Sequence, residues 1–350
     1  MPERERGRRL TIADVAKHAG VSKGAVSFAL NGRPGVAPAT RQRILEVAEE
    51  LGWTPSQAAR GLSVKRAFAL GLVIARDPVL LGSDPFFPAF IAGVETVMAE
   101  RSHSLVLQVV RDAEEEAEGY RRLARDRRVD GVFLTDLRRR DPRLKLLDDL
   151  AIPAVTLNVP DEESPHPAAR LDHEPGIAQA VDHLVAQGHT NLAHVAGPEE
   201  YVHGHGRREA FQKALERHGL PPGRVEAADF TAAGGREATQ RLLNTTERPT
   251  AIVYANDLMA IAGMNVAQQL GIDVPGELSV TGYDDTELAA HIHPGLTTVR
   301  TNVFAWGQVA AHMLVSLVEG NVVADVELEP PELVVRGSTS TPSTRKGQRT

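Results

Sequence analysis

From Ala67 onward the chain alternates short apolar runs with helical stretches, and no other feature restricts its fold as tightly. The runs are Ala69–Ala75, Leu105–Val110, Gly131–Thr135, Ala154–Val159, Leu192–Ala196, Ala251–Ala255 and Leu278–Gly282. Between them lie helical segments such as Phe87–Glu100, Ala113–Arg125, Pro175–Gln187, Arg208–His218, Arg236–Asn244 and Asp257–Leu270. Alternating strands and helices predict doubly wound parallel α/β sheets. The arrangement occurs roughly twice over, which predicts two similar lobes rather than one oversized sheet.

In open α/β sheets, ligands bind beyond the carboxyl ends of the strands. The residues just after each run are therefore the candidates: Arg76 to Phe87, Thr135, Asn158, the Gly197–Arg207 loop, Asn256-Asp257 and Asp284. Hydrogen-bonding groups predominate there, with Phe86, Phe87, Tyr201, Tyr283 and Trp306 as apolar walls. That chemistry suits a polar, hydroxyl-rich small molecule such as a sugar. Asn256 or Asp257 reads equally well as the cap of the following helix.

Before Ala67 the character changes. Residues 1–66 carry 12 Lys/Arg and 6 Asp/Glu, whereas the remainder is acidic enough to bring the whole chain to −7. A small basic module on an acidic body points to nucleic acid at one end. Ile12, Val15, Ala16 and Ala19 form the stripe of a short amphipathic helix, with Thr11 as N-cap and Gly20 as its left-handed end. Ser22 is read as the cap of a second helix through Leu30, which buries Ala25, Val26, Ala29 and Leu30. Lys23, Gly24, Ser27 and Phe28 then face outward. Thr40 is expected to cap a third helix, Arg41–Leu51, with Ile44, Leu45, Val47, Ala48 and Leu51 inward. Two short helices separated by Ala-Gly-Val-Ser and braced by a third make a helix-turn-helix. Its second helix fits the DNA major groove.

Several other chemistries find little support. The chain has no cysteine, which removes disulfides, Cys-ligated metals and thiol nucleophiles. Its longest apolar run, Ala67 to Ala75, falls short of the roughly 20 residues that span a bilayer. Asp14, Lys17 and His18 interrupt the stretch where a signal peptide would be apolar, so a cytoplasmic location is expected. Gly20-Val21-Ser22-Lys23-Gly24 matches a hydrolase nucleophile elbow, but Ser22 follows a helix rather than a strand. Asp284-Asp285 resembles a glycosidase pair, yet neighbours on a continuing strand point to opposite faces. His189, His194, His203 and His205 lack metal-ligand spacing and read as surface or capping histidines. No catalytic residue, metal or cofactor is expected.

The run LTIADVAKHAGVSKGAVSFALNGRPGVAPATRQRILEVAEELGWTPSQAARGL, Leu10 to Leu62, resembles the headpiece and hinge of the lactose-repressor/galactose-repressor family of bacterial transcription regulators. The resemblance implies that Lys23, Gly24 and Phe28 choose bases, while Ser22, Ser27, Asn31 and Arg41 position the DNA backbone. Many members carry Arg where this chain has Phe28, which can touch a thymine methyl or pack but cannot make a bidentate contact to guanine. On composition alone Ser56–Leu62 is a linker; the family reading makes it a hinge helix that orders in the minor groove. Leu62 is then the apolar wedge at a central base step, with Ala59 allowing close approach and Arg60 adding phosphate or groove contact.

The body resembles the same family's effector domain, similar to periplasmic sugar-binding proteins. The resemblance rests on HLVAQGHTNLAHVAG, RREAF, AIVYANDLMAIAGM, LSVTGYDDTELA, PGLTTVR and ELVVRGST. It implies that Arg207, Asn256 and Asp284 hydrogen-bond the effector, that Asn158 occupies another pocket position, and that Val303 and Trp306 form walls. The family usually has Gly where this chain has Ala210. The implied organisation is a headpiece over 1–55, a hinge over 56–66 and an effector and dimerisation domain over 67–340. Lobe one would take about 67–168 and 300–328, lobe two about 169–299 and 329–340, and 341–350 would be a basic tail. The implied function is a homodimeric repressor of sugar uptake or catabolism genes that binds operator DNA and is released by a small sugar. A regulator using a purine or phosphorylated protein corepressor is the alternative, with a sugar-binding or sugar-processing protein bearing a basic arm behind it. Leu62→Ala is expected to weaken specific operator binding and leave nonspecific binding near unchanged in anisotropy titrations. Equal losses in both would refute the wedge.

Overall fold

The computed structural model describes residues 10–30, 33–53, 66–76, 81–82 and 84–343. The chain divides into two compact units, Met1–Phe68 and Ala69–Thr350. In the first, α1 (Ile12–Ala19), α2 (Lys23–Leu30) and α3 (Pro38–Glu50) enclose Val15, Val26 and Ile44, all fully buried. Thr11 N–H donates to the Asp14 carboxylate at 2.8 Å, and Gly20 ends α1 at φ 64°. Ser22 Oγ accepts from Ala25 N–H at 3.1 Å, so it opens α2 as expected for a cap. The Trp53 indole N–H closes the unit by donating to the Leu10 carbonyl at 3.1 Å.

Two details of α3 differ from expectation. The helix starts at Pro38 behind Ala37, leaving Thr40 inside its first turn rather than at its cap. Proline's fixed φ suits the first helical position, and that preference sets the start. Leu45 is exposed, because it lies a third of a turn away from the buried Ile44–Ala48 face.

The second unit runs β1 (Ala69–Ala75), α4 (Phe86–Glu100), β2 (Ser104–Val110), α5 (Ala113–Arg125), β3 (Gly131–Leu134), α6 (Pro142–Asp149), β4 (Ala154–Leu157) and β5 (Ala168–Arg170). It continues through α7 (Glu174–Ala186), β6 (Leu192–Ala196), α8 (Val202–Arg217), β7 (Arg224–Ala227), α9 (Ala232–Leu243), β8 (Ala251–Tyr254), α10 (Asp257–Gln269) and β9 (Ser279–Asp284). It ends with α11 (Glu287–His291), β10 (Thr297–Arg300), α12 (Val303–Val318), β11 (Val326–Glu327) and β12 (Glu332–Val334). One sheet has the order β11-β5-β4-β3-β1-β2 and the other β12-β10-β9-β8-β6-β7. Every pairing is parallel except β10 with β12. These are the two lobes expected from the alternation.

Chain crossings between the lobes differ slightly from the expected ones. β5 keeps the chain in the first sheet to Arg170, two residues beyond 168. The short strands β5, β7, β10, β11 and β12 carry no long apolar run: β7, β11 and β12 are partly exposed sheet edges, and β5 and β10 are buried largely through the small or polar Ala168, Ala169, Thr297 and Thr298. Each sheet is covered by its crossover helices. In the first lobe, α4 and α12 close over Leu72, Phe90, Val94, Phe133 and Leu314, all without exposed surface. Among the described residues no helix is long and apolar enough to cross a membrane.

The approach of α4 to α12 depends on two glycines. A Cβ on Gly93 would overlap the Phe304 carbonyl, and one on Gly307 would overlap the Phe90 carbonyl. Neither neighbour can yield, because both are helical backbone. Gly307→Ala is therefore expected to destabilise the lobe by about 1–3 kcal/mol through overpacking. Urea unfolding checks this; an unchanged midpoint would contradict the close crossing.

Candidate functional site

The helix-turn-helix presents Lys23, Gly24 and Phe28 to solvent on α2, while Ser27 is half-buried. The Phe28 ring is 41% exposed and lies beside the Gly35 turn. Ser22 serves as the α2 cap, and Arg41 donates from Nη2 to the Arg33 carbonyl at 2.7 Å, bracing the loop after α2. Asn31, Ala59, Arg60 and Leu62 lie outside the described residues. What α2 offers is therefore one cation, a glycine and one aromatic ring on a short, braced helix.

A second concave site lies between the two sheets of the larger unit, enclosing about 640 Å³ of atom-free space that opens to solvent. Asn158, Arg207, Asn256, Asp284 and Trp306 all line it, with Val303 and Phe86. Asn158, Asn256 and Asp284 stand at strand ends, whereas Arg207 and Trp306 lie inside α8 and α12. Asn158 follows β4 at φ 75°, and its Oδ1 accepts from Leu171 N–H at 3.2 Å. Asn256 caps α10 by accepting from Met259 N–H, and its Nδ2 donates to the Phe230 carbonyl, both at 2.9 Å. The capping and lining readings of Asn256 are thus both true. The Trp306 indole N–H donates to the Ala169 carbonyl at 3.0 Å, and the ring meets Phe86 edge-on at 5.9 Å.

Arg207 is buried over the Tyr283 ring, with its guanidinium carbon 3.8 Å from the centroid. Nη1 donates to the Ala255 carbonyl at 2.5 Å, and Nε has no partner among the described residues. Asp284 ends β9 at φ 116° and faces this cleft, whereas Asp285 turns away to Arg300 at 2.7 Å and Arg336 at 2.5 Å. The pair diverges and cannot flank one bond. Burial raises the Asp284 carboxyl well above the usual range; Arg207 pulls it down, and Asp257 and Asp84 push it further up. Burial likewise lifts Asp257 to about 6, against hydrogen bonds from Thr298 and Thr286. A strained, desolvated carboxyl beside a partly unpaired guanidinium is a pre-formed site for polar ligand groups.

Three other expected walls stand elsewhere. Phe87 is buried in the first lobe, Tyr283 lies beneath Arg207, and Tyr201 stacks on His203 at 5.5 Å without lining the cleft itself. The cleft also contains Asp136, His173, Phe230 and Thr301, which the strand-end rule does not mark, beside Arg76, Asp84 and His203, which lie inside marked stretches. Arg76 and Asp84 fall within the stretch after β1 that the strand-end rule marks. Asp136 lies one residue past Thr135, and Phe230 precedes a helix with no local signal.

The histidines correct an expectation. His189 is buried and contacts Thr250 Oγ1 at 2.9 Å and Ser279 Oγ at 3.0 Å; it ties the segment near Ser340 to the second lobe. His194 is buried inside β6, facing the Val253 carbonyl at 2.8 Å and stacked on Phe211. His203 lies between Tyr201 and Phe230, whose centroids are 5.5 and 5.3 Å away. Hydroxyl partners, an apolar strand and stacked rings draw His189, His194 and His203 inward, whereas His205 stays partly exposed on α8 beside Glu199, as expected. Among the described residues no group of three or more His, Cys, Asp or Glu could hold a metal ion.

Comparison with known proteins finds matches for both parts of the chain. Residues 11–56 match the family described as bacterial regulatory proteins, lacI family, and residues 181–339 match the periplasmic binding protein-like domain. The chain is 34% identical to the HTH-type transcriptional regulator CelR of Thermobifida fusca, over 93% of this chain and 96% of that protein. This chain belongs to the LacI family. A CelR–cellobiose complex matches with a TM-score of 0.72 at 33% identity, covering 94% of this chain and all of that one. The lac repressor dimer bound to operator and the anti-inducer ONPF gives a TM-score of 0.82 at 29% identity, covering 95% and 100%. Like its LacI relatives, the protein is a DNA-binding transcription regulator of the repressor type and not an enzyme.

Burial lowers His194 to about 4 and His203 to about 3, so both stay neutral at pH 7. A depressed histidine means that the unfolded chain binds protons the folded one refuses below pH 6.5. Stability from these groups is therefore present above pH 6.5 and lost as pH falls toward 4, by up to about 1.4 kcal/mol per pH unit for each histidine. Asp257, raised to about 6, acts with the opposite sign in part of this window. The His194→Phe difference isolates one histidine: its unfolding free energy should fall less steeply than wild type between pH 6.5 and 4. Parallel slopes would contradict the neutral, buried His194.

Proposed function

We propose that this chain represses sugar-uptake or sugar-catabolism genes from the cytoplasm and is released from a palindromic operator by a small sugar. The observation that carries this reading is the convergence of Asn158, Arg207, Asn256, Asp284 and Trp306 on one interlobe cleft. A relative built alike, CelR, is known as a cellobiose complex. Arg207, Asn256 and Asp284 hydrogen-bond the effector, Asn158 adds a further polar group, and Trp306 and Val303 form its apolar walls.

The organisation follows the same reading: a headpiece over 1–55, a hinge over 56–66 and an effector and dimerisation domain over 67–340. On the headpiece, Lys23, Gly24 and Phe28 choose bases, and Ser22, Ser27, Asn31 and Arg41 set the register on phosphates. Ala59, Arg60 and Leu62 serve the hinge, with Leu62 as wedge. One headpiece offers few contacts; two related by a two-fold axis read a palindrome, so the working unit is a homodimer. A sugar that fits one interlobe angle better than another shifts the population of DNA-competent dimers. A ligand with equal affinity for both states would change nothing.

A thermal-shift screen against mono- and disaccharides, purines and sugar phosphates tests the effector class. The expected result is a neutral-sugar hit that also lowers operator affinity; a purine hit that raises it would favour corepression instead. For the sugar found, Asp284→Ala is expected to cost about 1.5–3 kcal/mol of binding, a ten- to hundredfold loss. Sugar-free operator binding is retained in that variant. An intact sugar response in Asp284→Ala would move the effector away from this cleft.

A further inference from the structure

The cleft contains a second cation, Arg76, besides Arg207. Arg76, at the end of β1, donates from Nε and Nη2 to the two carboxylate oxygens of Asp136, both at 2.7 Å. Its Nη1 reaches Asp84 at 3.2 Å. The guanidinium carbon also stands 5.6, 5.5 and 5.9 Å from the ring centroids of Phe87, Tyr201 and Phe230. Every polar edge of Arg76 is thus taken by carboxylate and its remaining surroundings by aromatic rings. Asp84 is itself anchored, with its other oxygen accepting from Phe86 N–H at 3.0 Å. Burial raises the Asp84 carboxyl against the pull of Arg76, whereas at Asp136 burial is outweighed by Arg76, which holds that carboxyl below its usual range.

Counted over the described lining, the cleft sets the carboxylates of Asp84, Asp136 and Asp284 against the guanidiniums of Arg76 and Arg207. His173 and His203 supply no compensation, since burial and Arg207 hold both neutral. Arg207 faces Asp284 across the same space and gives one donor to a backbone carbonyl. The charge of Arg76 is therefore already matched within the cleft. A phosphate or carboxylate entering a desolvated cleft would meet Asp84 and Asp136, and the Arg76 guanidinium between them has no free nitrogen with which to pair it, which is costly at low dielectric. A neutral polyol meets only donors and acceptors. We propose that Asp84 and Asp136, by holding Arg76, make the cleft selective for a neutral sugar over phosphorylated or acidic ones, with Asp84 as a specificity-determining residue.

This inference rests on the sugar-effector reading and deepens it. Calorimetric titration of the full chain with maltose, cellobiose and trehalose, each beside its 6-phosphate, tests it. For whichever neutral sugar binds, the phosphate form is expected to bind at least about 100-fold more weakly, as uncompensated like charge demands. Asp84→Asn frees one edge of Arg76 and removes a negative charge, so it should narrow that ratio at least about tenfold. Asp136→Asn should narrow it as well, which keeps the test decisive if either variant fails to fold. Phosphate forms that bind wild type as tightly as neutral ones, or a ratio unmoved in the folded variants, would overturn the proposal. Failure of all six sugars to bind a chain that still binds operator would contradict the sugar reading itself, and this inference with it.

Discussion

Two carboxylates and two aromatic rings, supplied from opposite lobes, surround the Arg76 guanidinium. Asp84 and Asp136 come from the first lobe and are joined to Arg76 by hydrogen bonds; Tyr201 and Phe230 come from the second. A desolvated guanidinium is tolerated only when its donors are matched, and removing one partner strands the other. Arg76 therefore commits the ends of β1 and β3 to fixed positions. It also brings the second lobe's rings over the same spot. The backbone repeats the connection nearby: Val202 N–H donates to the Leu137 carbonyl at 2.9 Å, and Arg139 N–H to the Glu200 carbonyl at 2.8 Å.

Behind this seam, a buried ion network stiffens the loop that carries Asp136. Arg143 pairs with Glu116 and with Asp141, each at 2.6 Å, and donates to the Asp136 carbonyl at 2.8 Å. Arg138 joins through Glu116 at 2.8 Å and meets Tyr201 as an isolated backbone bridge. Such networks add little net stability compared with apolar packing, but they fix geometry. Here the geometry that they fix belongs to the cleft. A ligand that alters the seam between lobes thus acts on elements that are tightly packed rather than freely deformable.

Much of this was legible in the sequence, for definite reasons. Parallel strands buried on both faces need continuous apolar runs, so β1 and β6 have the bounds expected from composition. The strand-end rule leads directly to Asn158, Asn256 and Asp284, because the chain must turn there. Arg207 closes the Gly197–Arg207 stretch that the same rule marks and Trp306 was read as a wall, but both sit inside helices, and only the resemblance gave Arg207 its effector contact. The edge strands escaped notice because half-exposed pairs such as Glu332–Val334 have no apolar pattern. His173 and Phe230 were missed because their place depends on stacking across distant segments. The buried histidines were misread because burial inverts the usual preference of that side chain for the surface.

Binding free energies are reciprocal: whatever factor a sugar imposes on operator affinity, the operator imposes on sugar affinity. The decisive measurement is the sugar's dissociation constant on the full chain, alone and saturated with an operator duplex selected from a random pool. Coupling between cleft and headpiece requires the operator to weaken sugar binding, by about 5- to 150-fold for an ordinary allosteric link. The same dissociation constant with and without DNA would contradict a sugar-released repressor.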